Sequence, residues 1–164
     1  MGDFFQTDFF KTELTASFQA LELSSAFKNI YAIACGLCDG LGYGHNTKTK
    51  LIILAMQELH GLFINLKIEL DESALPGTIG DLILTCASEK SRNFTFGKLL
   101  AEHSATDALA KIKSTVEGFH SLASVDYWKK LNGKLTLARF IADAVKKDNP
   151  KKVRKDFEKF IWSI

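Results

Sequence analysis

The chain has 164 residues, 46% of them hydrophobic and 24% charged, so it can bury the core of one ordinary domain and is not intrinsically disordered. Lysine and arginine number 21 against 19 acidic residues, and the net charge of +2 lacks the basic excess of nucleic-acid-binding domains. The longest clean apolar run, LIILAM, is far too short to span a membrane. Three cysteines, an odd and low number, suit a reducing cytosol and favour a cytoplasmic protein.

Apolar residues recur mainly at helical spacing, which predicts an all-α domain, a bundle of roughly eight helices. The first predicted helix covers residues 20–38 and is largely buried, and the glycine-rich DGLGYGHN ends it as a loop between helices. A long second helix, capped by Asn46 or Thr47, extends to about Leu70.

The second half of the chain predicts shorter helices joined by brief turns. After the turn DESALPGT, helices are predicted over residues 80–88, 91–103, 104–112, 116–132 and 135–147. Ser91 is the predicted N-cap of the second of these, and Ser104 opens the third with a Ser-x-x-Asp capping pattern. Asn149, followed by proline, caps the last helix.

The segment CGLC, residues 35–38, has the C-x-x-C spacing of zinc sites and redox motifs. No second cysteine pair completes a zinc site, and the preceding segment has a helix pattern instead of the strand of a thioredoxin-like motif. We therefore expect small, buried thiols. The four histidines show no metal-ligand spacing, so no metal site is predicted.

Lys28 lies at the start of a buried stretch, because nearly every residue from Ile30 to Leu37 is apolar or small. A lysine on a helix usually has its ammonium group in solvent, and this interpretation would account for Lys28 taken by itself. A lysine amine that its neighbours withdraw from water can exchange protons near neutrality, which makes Lys28 a candidate general acid or base.

Asp81 and Thr85 are four residues apart, so both could point from one face of the helix predicted over residues 80–88. Asp81 could equally be an N-cap, and it would then need no further role. The spacing alone leaves both interpretations open.

The triplet Ser91-Arg92-Asn93 lies between two segments that are predicted to be buried helices. A cap followed by a surface arginine would explain it. A helix N-terminus also offers free N–H groups and a positive dipole end, and the planar guanidinium of Arg92 matches the oxygens of phosphate or carboxylate. The residues by themselves indicate a site for a small anion, built from a lysine, an aspartate and an arginine, and they leave the reaction open.

Four blocks of the sequence, read together, resemble the C-terminal domain of bacterial NAD(P)-dependent glycerol-3-phosphate dehydrogenase. They are FFQTDFFKT, AFKNIYAIACGLCDGLGYGHNTKTKLI, IGDLILTCASEKSRNFTFGKLL and TVEGFHSL. The first resembles the strand that leads out of that family's nucleotide-binding domain, and DFFQTDFF is the one segment that could be extended. The resemblance implies a multi-helix bundle of the 6-phosphogluconate dehydrogenase C-terminal-like type, with residues 1–18 as an inter-domain strand or linker and 19–164 as the helical substrate-binding domain.

The resemblance also implies a role for each residue around the reacting carbon. Lys28 would accept the proton of the C2 hydroxyl of glycerol 3-phosphate, or return it to the ketone oxygen of dihydroxyacetone phosphate. Asp81 would orient Lys28 or bind a substrate hydroxyl, and Asn29 and Thr85 would lie close to the substrate.

The remaining roles concern the phosphate and the cofactor. By resemblance, Ser91, Arg92 and Asn93 would hold the substrate phosphate. Arg92 would also touch the cofactor, NAD or NADP, and Glu117, with Thr115, would contact the cofactor from the side of this domain.

The Rossmann domain of that family, with its glycine-rich phosphate turn, has no counterpart in this sequence. It would bind most of the cofactor and be a partner of this chain, and a homodimer is a further assembly to expect. The chain alone is expected to be inactive, because both reactants must be oriented together. The alternative is a non-catalytic interaction or dimerisation module with the same helical fold. The joint presence of Lys28, Asp81 and Arg92 favours the enzyme, which would supply a precursor of glycerophospholipids.

Overall fold

The computed structural model describes residues 2–130 and 134–164, with the side chains of 4–127 and 134–164. The regular elements of these residues are all helical, so the all-α prediction is confirmed. The α-helices are α1 (Phe18–Gly40), α2 (His45–Leu66), α3 (Asp81–Ala87), α4 (Arg92–Leu99), α5 (Ala105–Ile112), α6 (Glu117–Ser121), α7 (Val125–Lys130), α8 (Thr136–Lys147) and α9 (Pro150–Ser163).

Four short turns of 3-10 or π-helix complete the described part of the fold. Three are 3-10 turns, at Gly2–Phe5, Glu72–Ala74 and Leu122–Ser124, and one is a π-helical turn at Pro76–Gly80. Since Leu122–Ser124 joins α6 to α7, the described α-helices form eight runs, in line with the prediction. The helix predicted over residues 116–132 ends in residues 131–133, which lie outside the described residues.

Helix α1 is the centre of the bundle, and α2, α3, α4, α6 and α8 all pack against it. Every residue from Asn29 to Cys38 is buried. The three cysteines are free and buried, as predicted. Burial raises the pKa of Cys38 to about 12, which keeps this thiol protonated and unreactive.

Two glycines allow α1 and α4 to touch through their backbones. A Cβ at Gly36 would lie 1.9 Å from the Phe94 carbonyl oxygen, and a Cβ at Gly97 would lie 2.0 Å from the Ile33 carbonyl oxygen. Only a residue without a Cβ fits at either position. These contacts set α4 directly against α1, the two helices that carry Lys28, Asn29, Arg92 and Asn93.

Glu58 of α2 fixes the start of α8. The residue is 5% exposed, and its carboxylate accepts hydrogen bonds from Leu137 N (2.5 Å), Ala138 N (3.3 Å) and the Tyr31 hydroxyl (3.1 Å). An acid at a helix N-terminus satisfies N–H groups that have no partner within the helix. Local sequence could not predict this cap, because Glu58 and Leu137 are 79 residues apart.

The predicted N-caps of the later helices are confirmed. The side chains of Ser91, Ser104 and Asn149 each accept a hydrogen bond from the backbone N–H three residues further on, at 3.4, 3.1 and 3.1 Å. The predicted cap of α2 is wrong, because this helix begins at His45, ahead of Asn46 and Thr47, and its N-cap position is Gly44.

Two predicted helices are shorter in the structure, and the opening segment differs from the expectation. Helix α2 ends at Leu66 instead of Leu70, because Lys67 adopts a left-handed φ of 54° that cannot continue the helix. Helix α4 ends at Leu99, and residues 100–103 form turns. Gly2–Phe5 forms a 3-10 turn where the sequence allowed an extended segment.

Across the residues that the structure describes, no helix combines the length and the hydropathy that crossing a membrane requires.

Candidate functional site

Lys28 and Asp81 form an ion pair between α1 and α3. The Lys28 ammonium contacts Asp81 Oδ2, and the two side chains are 19% and 34% exposed. Most of the lysine stem is packed, while its charged head meets a carboxylate at the surface of the bundle. The pair therefore holds an amine in a defined place at the edge of the buried stretch.

Asp81 is the first residue of α3, directly after the π-helical turn Pro76–Gly80. The interpretation of Asp81 as an N-cap is wrong, because Gly80 has that position and the Asp81 carboxylate turns to Lys28. Thr85 donates its hydroxyl to the Asp81 carbonyl oxygen (2.7 Å) and to Asp81 Oδ1 (3.3 Å). Asp81 and Thr85 thus share a helix face, as predicted, and Thr85 helps to fix the carboxylate. We call Lys28, Asp81 and Thr85 the lysine cluster.

Asn29 and Asn93 connect α1, α4 and α6 through their side-chain amides. Asn93 Nδ2 donates to Asn29 Oδ1 (2.9 Å), and Gly118 N donates to Asn93 Oδ1 (2.8 Å). Asn29 Nδ2 donates to the Ser25 carbonyl oxygen (3.2 Å) and to Glu117 Oε2 (3.1 Å). Both asparagines are 7% exposed, so this network is largely closed to water and determines where Glu117 lies.

Arg92 and Glu117 form the exposed edge of the same network. Arg92 Nη2 lies 3.8 Å from Glu117 Oε1, and the side chains are 52% and 60% exposed. An exposed pair at this distance interacts weakly, so the guanidinium keeps donors for an anionic ligand. We call Asn29, Arg92, Asn93 and Glu117 the asparagine cluster.

The two clusters adjoin because Lys28 and Asn29 are neighbours on α1. Successive side chains on a helix point about 100° apart, so Lys28 turns to α3 while Asn29 turns to α4 and α6. The resulting surface carries an amine beside a carboxylate on one side and a guanidinium on the other. It suits a small molecule that has a hydroxyl or carbonyl group together with an anionic group.

Two further predicted site residues, Ser91 and Thr115, belong to neither cluster. Ser91 is at the N-terminus of α4, where its hydroxyl accepts a hydrogen bond from Phe94 N (3.4 Å). Thr115 is exposed in the loop before α6, two residues ahead of Glu117.

Gly118 is a part of the site that the sequence did not reveal. Its N–H binds Asn93 Oδ1, and a Cβ there would lie 2.5 Å from the Asn29 carbonyl oxygen. The block TVEGFHSL contained this glycine without assigning it a role, and the other signal was a residue of weak helix propensity in the first turn of a helix. That reason is the close approach of α6 to α1.

Arg92 and Glu117 are the exposed charged side chains of the asparagine cluster, so they are accessible to a ligand or cofactor. Within residues 2–130 and 134–164, no group of three or more histidine, cysteine and acidic side chains is placed to hold a metal ion.

Two solved dehydrogenases share this helical fold over about half of their length. The crystal structure of glycerol-3-phosphate dehydrogenase from Coxiella burnetii matches with a TM-score of 0.83 and 26% identity, over 94% of this chain and 49% of that one. The enzyme GPD1 of Saccharomyces cerevisiae matches with a TM-score of 0.80 and 20% identity, over 98% of this chain and 47% of that one, which is a likeness of fold alone. The fold is therefore that of the helical part of these dehydrogenases.

Sequence comparison identifies the family. The family model described as "NAD-dependent glycerol-3-phosphate dehydrogenase C-terminus" matches residues 18–154, and this chain belongs to that family. The glycerol-3-phosphate dehydrogenase (NAD(P)+) of Ruthia magnifica is 41% identical over 118 residues, which cover 71% of this chain and 37% of the relative. That of Agathobacter rectalis is 32% identical over 152 residues, which cover 92% and 45%. The chain thus spans less than half of the length of these relatives.

Proposed function

We propose that this chain is the substrate-binding and catalytic domain of an NAD(P)-dependent sn-glycerol-3-phosphate dehydrogenase. Its activity interconverts glycerol 3-phosphate and dihydroxyacetone phosphate in the cytoplasm and supplies a precursor of glycerophospholipids. The observation that carries the proposal is the Lys28 ammonium against the Asp81 carboxylate, beside the amides of Asn29 and Asn93. Membership of the family supports glycerol 3-phosphate as the substrate. The three free, buried cysteines support a reducing compartment.

Lys28 serves as the proton donor and acceptor. In oxidation its neutral amine accepts the proton of the C2 hydroxyl of glycerol 3-phosphate, and in reduction its ammonium donates a proton to the ketone oxygen of dihydroxyacetone phosphate. Asp81 positions the amine through the ion pair, and Thr85 steadies that carboxylate through its hydroxyl. A fixed amine removes the entropic cost of bringing the proton to the reacting oxygen.

Arg92 binds the substrate phosphate, together with Ser91 and the N–H groups at the start of α4. Its half-exposed guanidinium can present two parallel N–H donors to phosphate oxygens, and the helix dipole favours the same charge. Asn93 has one amide N–H left for a ligand oxygen after its bond to Asn29. Asn29 has both N–H groups in use, so it lies near the substrate as a positioning residue.

NAD or NADP would be held mainly by a nucleotide-binding domain, with Arg92, Thr115 and Glu117 as the contacts from this chain. The exposure of the Arg92 and Glu117 charges supports this assignment. Hydride transfer is the chemistry that the nicotinamide supplies when it is bound. Because the chain covers 37% to 45% of its relatives, we propose that it needs that domain as a partner for turnover.

Reconstitution with a separately prepared nucleotide-binding half of a glycerol-3-phosphate dehydrogenase tests the proposal. Reduction of dihydroxyacetone phosphate is followed by the loss of NADH absorbance, with the chain alone and with the mixture. We expect turnover in the mixture only, because both reactants must be oriented together. Lys28→Ala should lower the rate at least roughly 100-fold, the smallest contribution typical of a general acid.

Lys50→Ala is the matched control, because Lys50 is an exposed lysine of α2 and lies in neither cluster. It should leave the rate unchanged, and circular dichroism should show both variants helical. Equal turnover by Lys28→Ala and the parent chain would contradict the role of Lys28. A mixture of two folded halves that never turns over would contradict the enzymatic function.

The second candidate is a non-catalytic interaction or dimerisation module, which the exposed phenylalanines of the opening segment favour. Phe4, Phe5 and Phe9 are 92%, 65% and 100% exposed. Large apolar side chains clustered at a surface commonly pack against another protein. If this segment joins two copies, the double variant Phe4→Ser/Phe5→Ser should elute later than the parent chain in size-exclusion chromatography. Equal elution volumes would reject a homodimer through these residues.

A further inference from the structure

The last two helices carry a concentration of positive charge. Residues 146–159, KKDNPKKVRKDFEK, contain seven basic side chains and three acidic ones. The whole chain has a net charge of only +2, so the residues outside this segment are net acidic. Two of its three acids are already engaged, because Asp148 accepts a hydrogen bond from Ala105 N at 2.5 Å and Asp156 Oδ2 lies 2.5 Å from Lys147 Nζ. The remaining positive charge is therefore poorly neutralised within the protein.

Three of these lysines and a tryptophan form one line along α9. Four-residue intervals separate Lys151, Lys155 and Lys159, and Trp162 follows three residues later. At 3.6 residues per turn, these four exposed side chains lie within about 80° of one another. We call them the lysine–tryptophan stripe. The opposite side of the helix packs into the core through Val153, Phe157 and Phe160.

Trp162 has most of its side chain in solvent. The residue is 85% exposed, whereas tryptophan is highly buried on average in folded proteins. Its ring combines an apolar body with one N–H donor, and tryptophan is enriched where the hydrocarbon of a membrane meets the lipid headgroups. Lysine stems can lie along such a surface while their ammonium groups reach the lipid phosphates. The stripe therefore presents two groups that suit an anionic bilayer.

We propose that the lysine–tryptophan stripe binds the surface of a membrane that contains anionic lipids. The lysines are attracted to the lipid phosphates, and Trp162 enters the headgroup layer. Glu158 is exposed beside the stripe and weakens the attraction, but the exposed cations Lys152 and Arg154 flank the stripe on its two sides. The contact is peripheral, since the apolar side of α9 stays in the protein core.

The shape of this surface favours a bilayer over a nucleic acid. Proteins that bind single strands without sequence preference combine a positively charged groove with several aromatic side chains for base stacking. The stripe is the outer side of one helix and has one aromatic residue, at its end. It shares no residue with the lysine and asparagine clusters, so the proposal does not depend on the proposed function.

Co-sedimentation of the 164-residue chain with lipid vesicles tests the proposal. One set of vesicles is pure phosphatidylcholine, and the other is an equal mixture of phosphatidylcholine and anionic phosphatidylglycerol. We expect binding to the anionic vesicles and roughly 100-fold weaker binding to phosphatidylcholine, because each of three lysines near an anionic surface contributes about fivefold. Salt at about 1 M should release the protein, since it screens charges beyond about 3 Å.

Matched variants assign the binding to the stripe. Lys155→Gln/Lys159→Gln should weaken binding to anionic vesicles roughly 25-fold, about fivefold for each lysine. Trp162→Ala should weaken it roughly tenfold or more, the effect of withdrawing a large apolar side chain from an apolar environment. Lys50→Gln/Lys90→Gln removes the same charge from two exposed lysines outside α8 and α9, so it should bind like the parent chain. Circular dichroism verifies that each variant is folded.

Three results would overturn the proposal. The first is a chain that stays in solution with anionic vesicles, and the second is equal binding to both kinds of vesicle. The third is an equal loss of binding in Lys50→Gln/Lys90→Gln and in Lys155→Gln/Lys159→Gln. A labelled single-stranded oligonucleotide tests the competing ligand. If it binds through Lys155 and Lys159 while anionic vesicles stay unbound, the surface binds nucleic acid and the membrane proposal is wrong.

Discussion

Replacing Gly97 by alanine should destabilise this protein through a single methyl group. The added Cβ would lie 2.0 Å from the Ile33 carbonyl oxygen and 2.9 Å from Leu37 N, against the 3.4 Å at which ordinary contact begins. Both neighbours are backbone atoms of α1, so no flexible side chain can move aside. Helices α1 and α4 must therefore separate. We expect a loss of unfolding free energy at the upper end of the range for overpacked cores, about 3 kcal/mol or more.

Alanine also restores about 1 kcal/mol of helix propensity, so the net loss should be about 2 kcal/mol or more in the free energy of unfolding. For a chain of this length, that corresponds to a melting temperature lower by roughly 4–8 °C. The same separation pulls Asn93 away from Asn29, so the amide network of the candidate site should weaken together with the fold.

Gly61→Ala is the matched control for this substitution. Gly61 is inside α2, and a Cβ there would meet nothing within 4 Å. Alanine should therefore stabilise the protein by about 1 kcal/mol, because only the helix propensity changes. The same chemical change thus has opposite signs at two helical glycines.

Urea unfolding followed by circular dichroism at 222 nm measures both variants against the parent chain. The reasoning is refuted if Gly97→Ala is as stable as the parent chain, since α1 and α4 would then not touch through their backbones. It is also refuted if Gly61→Ala loses as much stability as Gly97→Ala, since the loss would not depend on that contact.

Two further predictions concern carboxylates that hold the N-terminus of a distant helix. Burial raises the pKa of Glu58 from 4.5 to about 7, so its contribution to stability is fully present below pH 4.5 and is lost as the pH rises through about 7. This difference is worth about 3 kcal/mol, so the unfolding free energy of the parent chain, measured in urea, should fall across that pH range relative to that of Glu58→Gln. Parallel pH profiles of the two proteins would contradict the assignment. Asp148 Oδ1 accepts a hydrogen bond from Ala105 N at 2.5 Å, so Asp148→Ala should lower the unfolding free energy by about 1 kcal/mol. Asp143→Ala, at an exposed position of α8, is the control, and equal losses from the two variants would exclude a capping role.

The helical framework could be predicted because its signals are local. Apolar spacing placed the buried α1, and the caps Ser91, Ser104 and Asn149 each act over three residues. The end of α2 was predicted four residues too late. Apolar residues continue past Leu66, and the helix stops because Lys67 adopts a left-handed conformation. This conformation is usual for glycine or asparagine at a helix end, so a lysine gave no indication of it.

The candidate site, too, could be predicted only where its signals are local. Lys28 stood out as a lysine at the edge of an apolar helix, and Arg92 as a guanidinium beside a helix start, so the residue types and their neighbours were enough to select them. The residue that pairs with Lys28 could not be predicted in this way. Asp81 is 53 residues away, and as an isolated aspartate at a helix start it was equally a cap.

By itself, the sequence determined the all-α class, most helix starts and the residue types that could handle a small anion, since each rests on backbone preferences and side chains within one or two turns. Only the tertiary structure decided which of those residues meet. The contact of Gly36 and Gly97 brings Asn93 to Asn29, and Glu58 caps a helix 79 residues away. Such pairings depend on how whole helices approach one another, and no local pattern of residues encodes that distance.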